Sequence, residues 1–239
     1  MILIDPEKCT GCGTCVPYCT VGAIEVEDGL AIVDPHRCTD CYVCIRNQVC
    51  PSKAMGPGPL ETFYDVFRHV LSDPTETTAD TGVPGRGTEE AKTNDVTGRF
   101  GKNEAGFAID MGRPGVGVRM KDVETVAKAV IKAGLKLEDA AHSPLGKVLD
   151  ITTGEMDPGI KDHYLLSIII EGKCPLEKMR DVLKALREVE DKIDTVFSVG
   201  LILRTDENGY NPYLSVLEEF GIKPIRGKVN VGLGRPLVP

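Results

Sequence analysis

From Ala105 onward the apolar positions follow two alternating rhythms, one of strands and one of helices. Gly106–Met111 reads as a strand, with Val116–Met120 as its continuation or partner. Val123, Val126, Ala127, Val130 and Ile131 recur at helical spacing, and Gly134 supplies a stop. Lys147–Thr152 reads as a weak strand and His163–Glu171 as the clearest one. Pro175 is expected to open a long helix buried along Leu176, Met179, Val182, Leu183, Leu186 and Val189. Its missing N–H costs nothing at a first helical position. A strand at Thr195–Leu203, a helix at Pro212–Phe220 and a strand at Ile225–Leu233 complete the series. This order predicts an α+β sandwich, with helices on one face of a mainly antiparallel sheet.

Upstream the rhythm breaks. Gly56-Pro57-Gly58-Pro59 interrupts regular structure. An amphipathic helix is expected over Leu60–Leu71, with Leu60, Phe63, Val66, Phe67, Val70 and Leu71 on its apolar face. Ser72–Glu104 is rich in threonine, glycine and charge and poor in apolar residues. It reads as a flexible linker or a partner-binding arm, because it cannot bury enough surface to offset its ordering entropy. Three regions result: 1–59, 60–104 with the helix and linker, and 105–239 as the sandwich domain.

Charge narrows the function. The chain of 239 residues has a formal net charge of −8 and no basic stretch suited to nucleic acid. No apolar run approaches the about 20 residues of a membrane span. Met1–Asp5 carries no secretory signal, so a soluble, cytoplasmic protein is expected. An acidic electron carrier would be steered towards basic docking patches; simple solubility explains the bias as well.

Eight of the nine cysteines fall in the first fifty residues. Cys9, Cys12, Cys15 and Cys19 form a C-x2-C-x2-C-x3-C run; Cys38, Cys41, Cys44 and Cys50 form a C-x2-C-x2-C-x5-C run closed by Pro51. Thiolates are soft ligands that suit iron–sulfur clusters. Zinc sites more often use C-x2-C pairs set further apart, and disulfides need an oxidising compartment. The region also repeats itself. Asp5-Pro6-Glu7-Lys8-Cys9-Thr10 recurs 29 residues later as Asp34-Pro35-His36-Arg37-Cys38-Thr39, which suggests two pseudo-symmetric half-sites.

Over Met1–Met55 these residues resemble a bacterial-type ferredoxin with two [4Fe–4S] clusters. In that family the fourth cysteine of each run ligates the other cluster. The resemblance therefore implies one cluster on Cys9, Cys12, Cys15 and Cys50, and another on Cys38, Cys41, Cys44 and Cys19. Two departures stand out. Thr20 replaces the usual proline after the first run's fourth cysteine, which predicts a looser or differently hydrogen-bonded turn at Cys19. Five residues, Ile45–Val49, separate Cys44 from Cys50, which predicts a longer loop near the first cluster. The later domain has the element order of ferredoxin-like α/β sandwiches that bind small molecules, an analogy of fold alone.

Other candidates are weaker. Cys174, beside Lys173 and Pro175, is either a reactive thiol at a helix start or a small cap residue. Arg113-Pro114-Gly115-Val116-Gly117-Val118-Arg119 could hold a carboxylate or phosphate, or simply turn between strands; Gly232–Arg235 is similar and weaker. His36, His69, His142 and His163 show no metal-ligand spacing. No catalytic acid, base or nucleophile is defined.

The reading is an iron–sulfur electron-transfer subunit that relays single electrons to or from a redox partner in an anaerobic oxidoreductase complex. It is a non-catalytic subunit in preference to an enzyme. One alternative is a ferredoxin-dependent reductase whose C-terminal domain binds substrate or flavin. The other is a redox regulator whose C-terminal domain binds a small-molecule metabolite.

Overall fold

The computed structural model describes residues 1–76, 100–113, 115–206, 208 and 210–223. The expected strand at Ile225–Leu233, the Gly232–Arg235 candidate and most of the expected linker lie outside them.

The N-terminal module is built from short elements. Strand β1 (Ile2–Ile4) pairs antiparallel with β4 (Met55–Pro57). Strands β2 (Ile24–Glu27) and β3 (Leu30–Val33) form a hairpin. Its turn is Asp28-Gly29, with φ of 48° and 77°. Both turn residues need positive φ for the turn's twist to match that of the strands, and Asp-Gly suits this. A single turn of helix, α1 (Val43–Arg46), opens the longer stretch before Cys50. The module's small core includes Ile2, Val21, Ala23, Ile24 and Val49, together with Cys15, Cys38 and Cys44.

Helix α2 (Phe63–Ser72) follows, closed at its start by a capping box. Thr62 Oγ1 accepts from the Asp65 N–H at 3.1 Å, and the Asp65 carboxylate accepts from the Thr62 N–H at 3.0 Å. The apolar stripe predicted for this helix is only partly buried. Phe67 and Leu71 enter the larger core, whereas Phe63 and Val66 stay exposed. Arg68, His69 and Ser72 are buried in their place. They can be buried because each finds a polar partner on another segment.

Strands β5 (Glu104–Met111), β6 (Val118–Arg119), β7 (Lys136–Leu137), β8 (Tyr164–Leu165), β9 (Ile168–Pro175) and β10 (Phe197–Leu203) alternate with α3 (Met120–Lys132), α4 (Met179–Val189) and α5 (Ser215–Glu219). Four strands make an antiparallel sheet in the order β10-β5-β9-β7. In chain order β5, β7, β9 and β10 are first to fourth, so the sheet runs fourth-first-third-second. That is the topology of a ferredoxin-like α+β sandwich. One face carries Ala105, Phe107, Ile109, Met111, Ile168, Ile170 and Cys174 into a core shared with α3 and α4. From α4 come Met179, Val182, Leu183, Leu186 and Val189, the stripe predicted for it.

Several boundaries differ from the sequence expectation. Pro175 ends β9, and α4 begins at Met179 after a turn of 3-10 helix over Leu176–Lys178. The proline suits the end of a strand because the ladder there needs no further donor. Lys147–Thr152 is not a strand: Pro144–Lys147 forms a 3-10 turn, and Leu149 makes one isolated bridge to Met156. The second sheet strand is β7, whose two residues are too few to carry a period. The expected strand at His163–Glu171 is two strands, β8 and β9. The expected partner of β5 at Val116–Met120 narrows to β6, which pairs with β8. At Pro212–Phe220 a 3-10 turn precedes the short α5.

Module and sandwich are joined by polar contacts. The Tyr164 N–H donates to the His36 carbonyl at 3.1 Å. The Leu166 N–H donates to Ser72 Oγ at 3.1 Å, and Leu166 packs on the module's core. Arg68 donates to the Pro35 carbonyl at 3.3 Å and to His163 Nδ1 at 3.2 Å.

That last bond requires a neutral His163. Burial, then the Arg68 charge, holds its pKa below the ordinary value. The folded protein therefore takes up this proton at lower pH than the unfolded chain does. The associated stability is complete above about 6.5 and is lost as pH falls below it towards the folded value. Urea midpoints at about pH 7.5 and about pH 5.5 check this: His163→Gln should lose less stability between them than the wild type does. Equal losses would show that the ring's proton does not govern the contact.

Candidate metal centres

The repeated Asp-Pro stretch is a device for presenting cysteine. Asp5 Oδ1 accepts from the Glu7 N–H at 3.0 Å, and Asp34 Oδ1 accepts from the His36 N–H at 2.8 Å. These side-chain turns bend the backbone the same way twice. The Cys9 N–H then reaches the Asp5 carbonyl at 3.0 Å, and the Cys38 N–H reaches the Asp34 carbonyl at 2.9 Å.

The fourth cysteines repeat as a pair as well. Cys19 Sγ accepts from the Ala23 N–H at 3.1 Å, and Cys50 Sγ accepts from the Ala54 N–H at 3.2 Å. The two halves exchange partners through those alanines. The Asp5 N–H donates to the Ala54 carbonyl at 2.8 Å, and the Asp34 N–H donates to the Ala23 carbonyl at 2.9 Å. Each Asp turn is thus bound to the segment that carries the other half's fourth cysteine.

The thiols gather accordingly. Cys9, Cys12, Cys15 and Cys50 line one small cavity, with Thr14, Ala31, Ser52 and Ala54. Burial raises the Cys15 pKa, and the charges of Cys12, Cys50 and Cys9 raise it further. Burial likewise pushes Cys44 up to about 12, with the charges of Cys41, Cys38 and Cys19 adding to it. A thiol packed among other thiols resists ionisation until a cation takes up the charge. Among the described residues, no three or more His, Cys, Asp or Glu side chains close on a single ion. Two groups of four thiols suit cubane clusters, which hold their ligands around a multi-atom core.

The two groups have unlike surroundings. In the first, Thr14 Oγ1 lies 3.3 Å from Cys12 Sγ and Ser52 Oγ lies 3.4 Å from Cys50 Sγ. These hydroxyl contacts are the main reason both thiol pKa values fall. The Ala31 N–H adds a bond to Cys9 Sγ at 3.4 Å. Cys12 is exposed. In the second group Cys38 and Cys44 are buried, and burial followed by the Asp40 charge raises the Cys38 pKa.

Both departures from the ferredoxin pattern prove mild. The turn at Cys19 has the same bonds as the one at Cys50: Gly22 N–H to the Cys19 carbonyl and Lys53 N–H to the Cys50 carbonyl, both 3.1 Å. Thr20 therefore does not loosen it. The longer Ile45–Val49 loop begins in α1 and turns back on it through the Asn47, Gln48 and Val49 N–H groups, and Arg46 forms an ion pair with Asp73 beyond α2.

The other candidates lose their proposed roles. Cys174 is the penultimate residue of β9, pairs with Ala105 in the ladder, and is 1 % exposed. Burial pushes its pKa up to about 12, with Glu177, Asp181 and Glu104 adding to the effect, so it is an inert core thiol. In the Arg113–Arg119 loop the N–H groups of Gly115, Val116 and Gly117 all turn to the Gly112 carbonyl. Arg113 pairs with Asp110 at 3.0 Å, and Arg119 lies 3.6 Å from Asp162. The loop is a turn whose Gly117 abuts Val21 of the module. The fold brings His36 near His163, whose pKa its charge helps to lower, and His69 and His163 bond to Asp40 and Arg68. Sequence reasoning missed Asp40 and Arg68. The one available signal for Asp40 was its place between two cysteines.

Residues 2–25 match a family model described as a 4Fe-4S binding domain. No curated protein and no solved structure matches the chain. The N-terminal region thus carries a 4Fe–4S binding domain, which supports an iron–sulfur electron-transfer role in general. Among the described residues no helix is long and apolar enough to cross a membrane.

Gly11 offers a direct check on the first thiol group. It lies between Cys9 and Cys12 at φ 63°, and a Cβ there would overlap the Gly29 carbonyl of the hairpin turn. Gly11→Ala should therefore displace the cysteine loop from the hairpin. Bound iron should fall below the wild-type content. Full iron content in Gly11→Ala would mean that the loop tolerates the displacement.

Proposed function

We propose that this chain is an electron-transfer subunit holding two [4Fe–4S] clusters. Cys9, Cys12, Cys15 and Cys50 would hold the first; Cys38, Cys41, Cys44 and Cys19 would hold the second. The observation that carries the reading is the exchange of backbone hydrogen bonds between the halves, which supports pairing each fourth cysteine with the other half's first three. The matched 4Fe-4S binding domain supports it for the first run.

When bound, such a cluster accepts and returns one electron at a time at low potential. The chain's own residues hold the thiolates, aim N–H and hydroxyl groups at the sulfurs, and keep water from the buried group. Exposed Cys12 sits at the edge from which an electron can leave for a partner. The partners proposed are catalytic subunits of an anaerobic oxidoreductase. The acidic balance of the chain would steer them through a basic docking surface. Residues 1–59 form the cluster module on this reading, 60–104 its connection, and 105–239 a domain for assembly with the partner.

Analysis of anaerobically prepared protein decides the matter. It should contain about eight iron and about eight sulfide per chain. Its reduced form should give the EPR spectrum of two interacting [4Fe–4S]⁺ centres. Cys19→Ala should damage the cluster on Cys38, Cys41 and Cys44, Cys50→Ala the other, and Cys174→Ala neither. Stoichiometric zinc without sulfide would overturn the reading.

A further inference from the structure

The internal repeat places Asp40 where its twin half-site has Gly11, each the last residue before the second cysteine of its run. Both positions need left-handed backbone: φ is 63° at Gly11 and 55° at Asp40. Glycine is the residue suited to that conformation. At Gly11 it is also enforced by the hairpin turn pressing on it. At Asp40 a side chain occupies the position and is completely buried.

The carboxylate is surrounded by polar partners. Arg68 grips Oδ2 with Nε at 2.9 Å and Nη2 at 2.8 Å. The Met1 ammonium lies 3.1 Å from Oδ1. His69 Nδ1 donates to the Asp40 carbonyl at 2.9 Å. The same Oδ1 lies only 3.9 Å from Cys38 Sγ. Once Cys38 is a thiolate ligand it has no proton to share, so the contact sets two negative groups side by side.

We propose that Asp40 tunes the second cluster to the lower of two separate potentials. This inference rests on the two-cluster reading above. A buried carboxylate beside a ligand sulfur opposes the arrival of another electron. The Arg68 and Met1 cations act against this, whereas exposure and the hydroxyl contacts of the first group act with it. The first group is more exposed, and its sulfurs receive the Thr14, Ser52 and Ala31 contacts, which stabilise added negative charge. In the half-reduced protein the electron therefore rests on the first cluster, at the exposed edge. Asp40 touches no reacting partner; it acts through the ligand Cys38.

An EPR-monitored potentiometric titration of the full chain, with both clusters loaded, tests this. Two one-electron steps are expected. Asp40→Asn and Asp40→Gly should raise the lower step, leave the higher one in place and narrow the gap. Arg68→Gln removes the opposing charge and should lower the lower step further. Ser52→Ala assigns the steps, because losing its hydroxyl should depress only the higher one. Asp40→Glu keeps the charge and controls for altered packing. A single unsplit wave in the wild type would overturn the proposal. So would an Asp40→Asn protein whose steps are unmoved, move together, or differ only in the higher one. Iron and sulfide read on the same samples separate the failures. Fewer than about eight iron in the wild type removes the two-cluster reading itself; full content with unmoved steps removes only the role of Asp40.

Discussion

The arrangement of the two halves depends on one buried guanidinium. Arg68, on α2, binds Asp40 of the cysteine module, the Pro35 carbonyl of the same module, Asp65 of its own helix and His163 just before β8. Its rigid fork suits several acceptors in different directions. A buried ion pair of this kind adds little net stability, because desolvating both charges offsets their attraction. Removing one member is another matter: it strands a charge and costs about 3–5 kcal/mol. The interaction therefore specifies how module and sandwich meet more than how tightly they hold.

The same contact explains the composition of α2. An ordinary amphipathic helix places leucine and valine where this one buries Arg68, His69 and Ser72. Those side chains face a module whose own core is small, and small cores rely on covalent or metal staples. Leu166 packs on the module's core, Gly117 lies against Val21, and the Tyr42 ring meets His69 across the seam. Polar bonds to His36, Pro35 and Asp40 and the Arg46–Asp73 ion pair join them.

Much of this was legible in the sequence for specific reasons. Cysteine spacing is a local constraint, so both runs and their repeat could be read directly. The stripes of α3 and α4 are long enough to carry a helical period, and the buried residues follow them. The two-residue β7 is too short for any period, although it completes the sheet. Pro175 was ambiguous because a proline can open a helix or close a strand, and only the ladder to Glu104 decides. Arg68 and Asp40 are 28 residues apart, and their meeting depends on tertiary packing that no window of sequence contains. Reading α2 by hydrophobicity alone therefore assigned Phe63 and Val66 to a face that the fold leaves in solvent.

The seam also gives the C-terminal sandwich a physical role that needs no ligand. Helix α2, bound to the sandwich through His163 and Leu166, covers Asp40 beside the second thiol group and leaves Cys12 of the first at the surface. Thr39 and Asp40 are each 1 % exposed beneath α2, whereas Cys12 is open to solvent. Covering one group removes water that would otherwise screen the charge of Asp40, and a charge in low dielectric acts strongly over short distances. An isolated module would have the same cysteines and the same aspartate, but solvent would weaken the difference between its halves. On the two-cluster reading, the sandwich turns a nearly symmetric pair of sites into an ordered one through burial and the placement of Arg68.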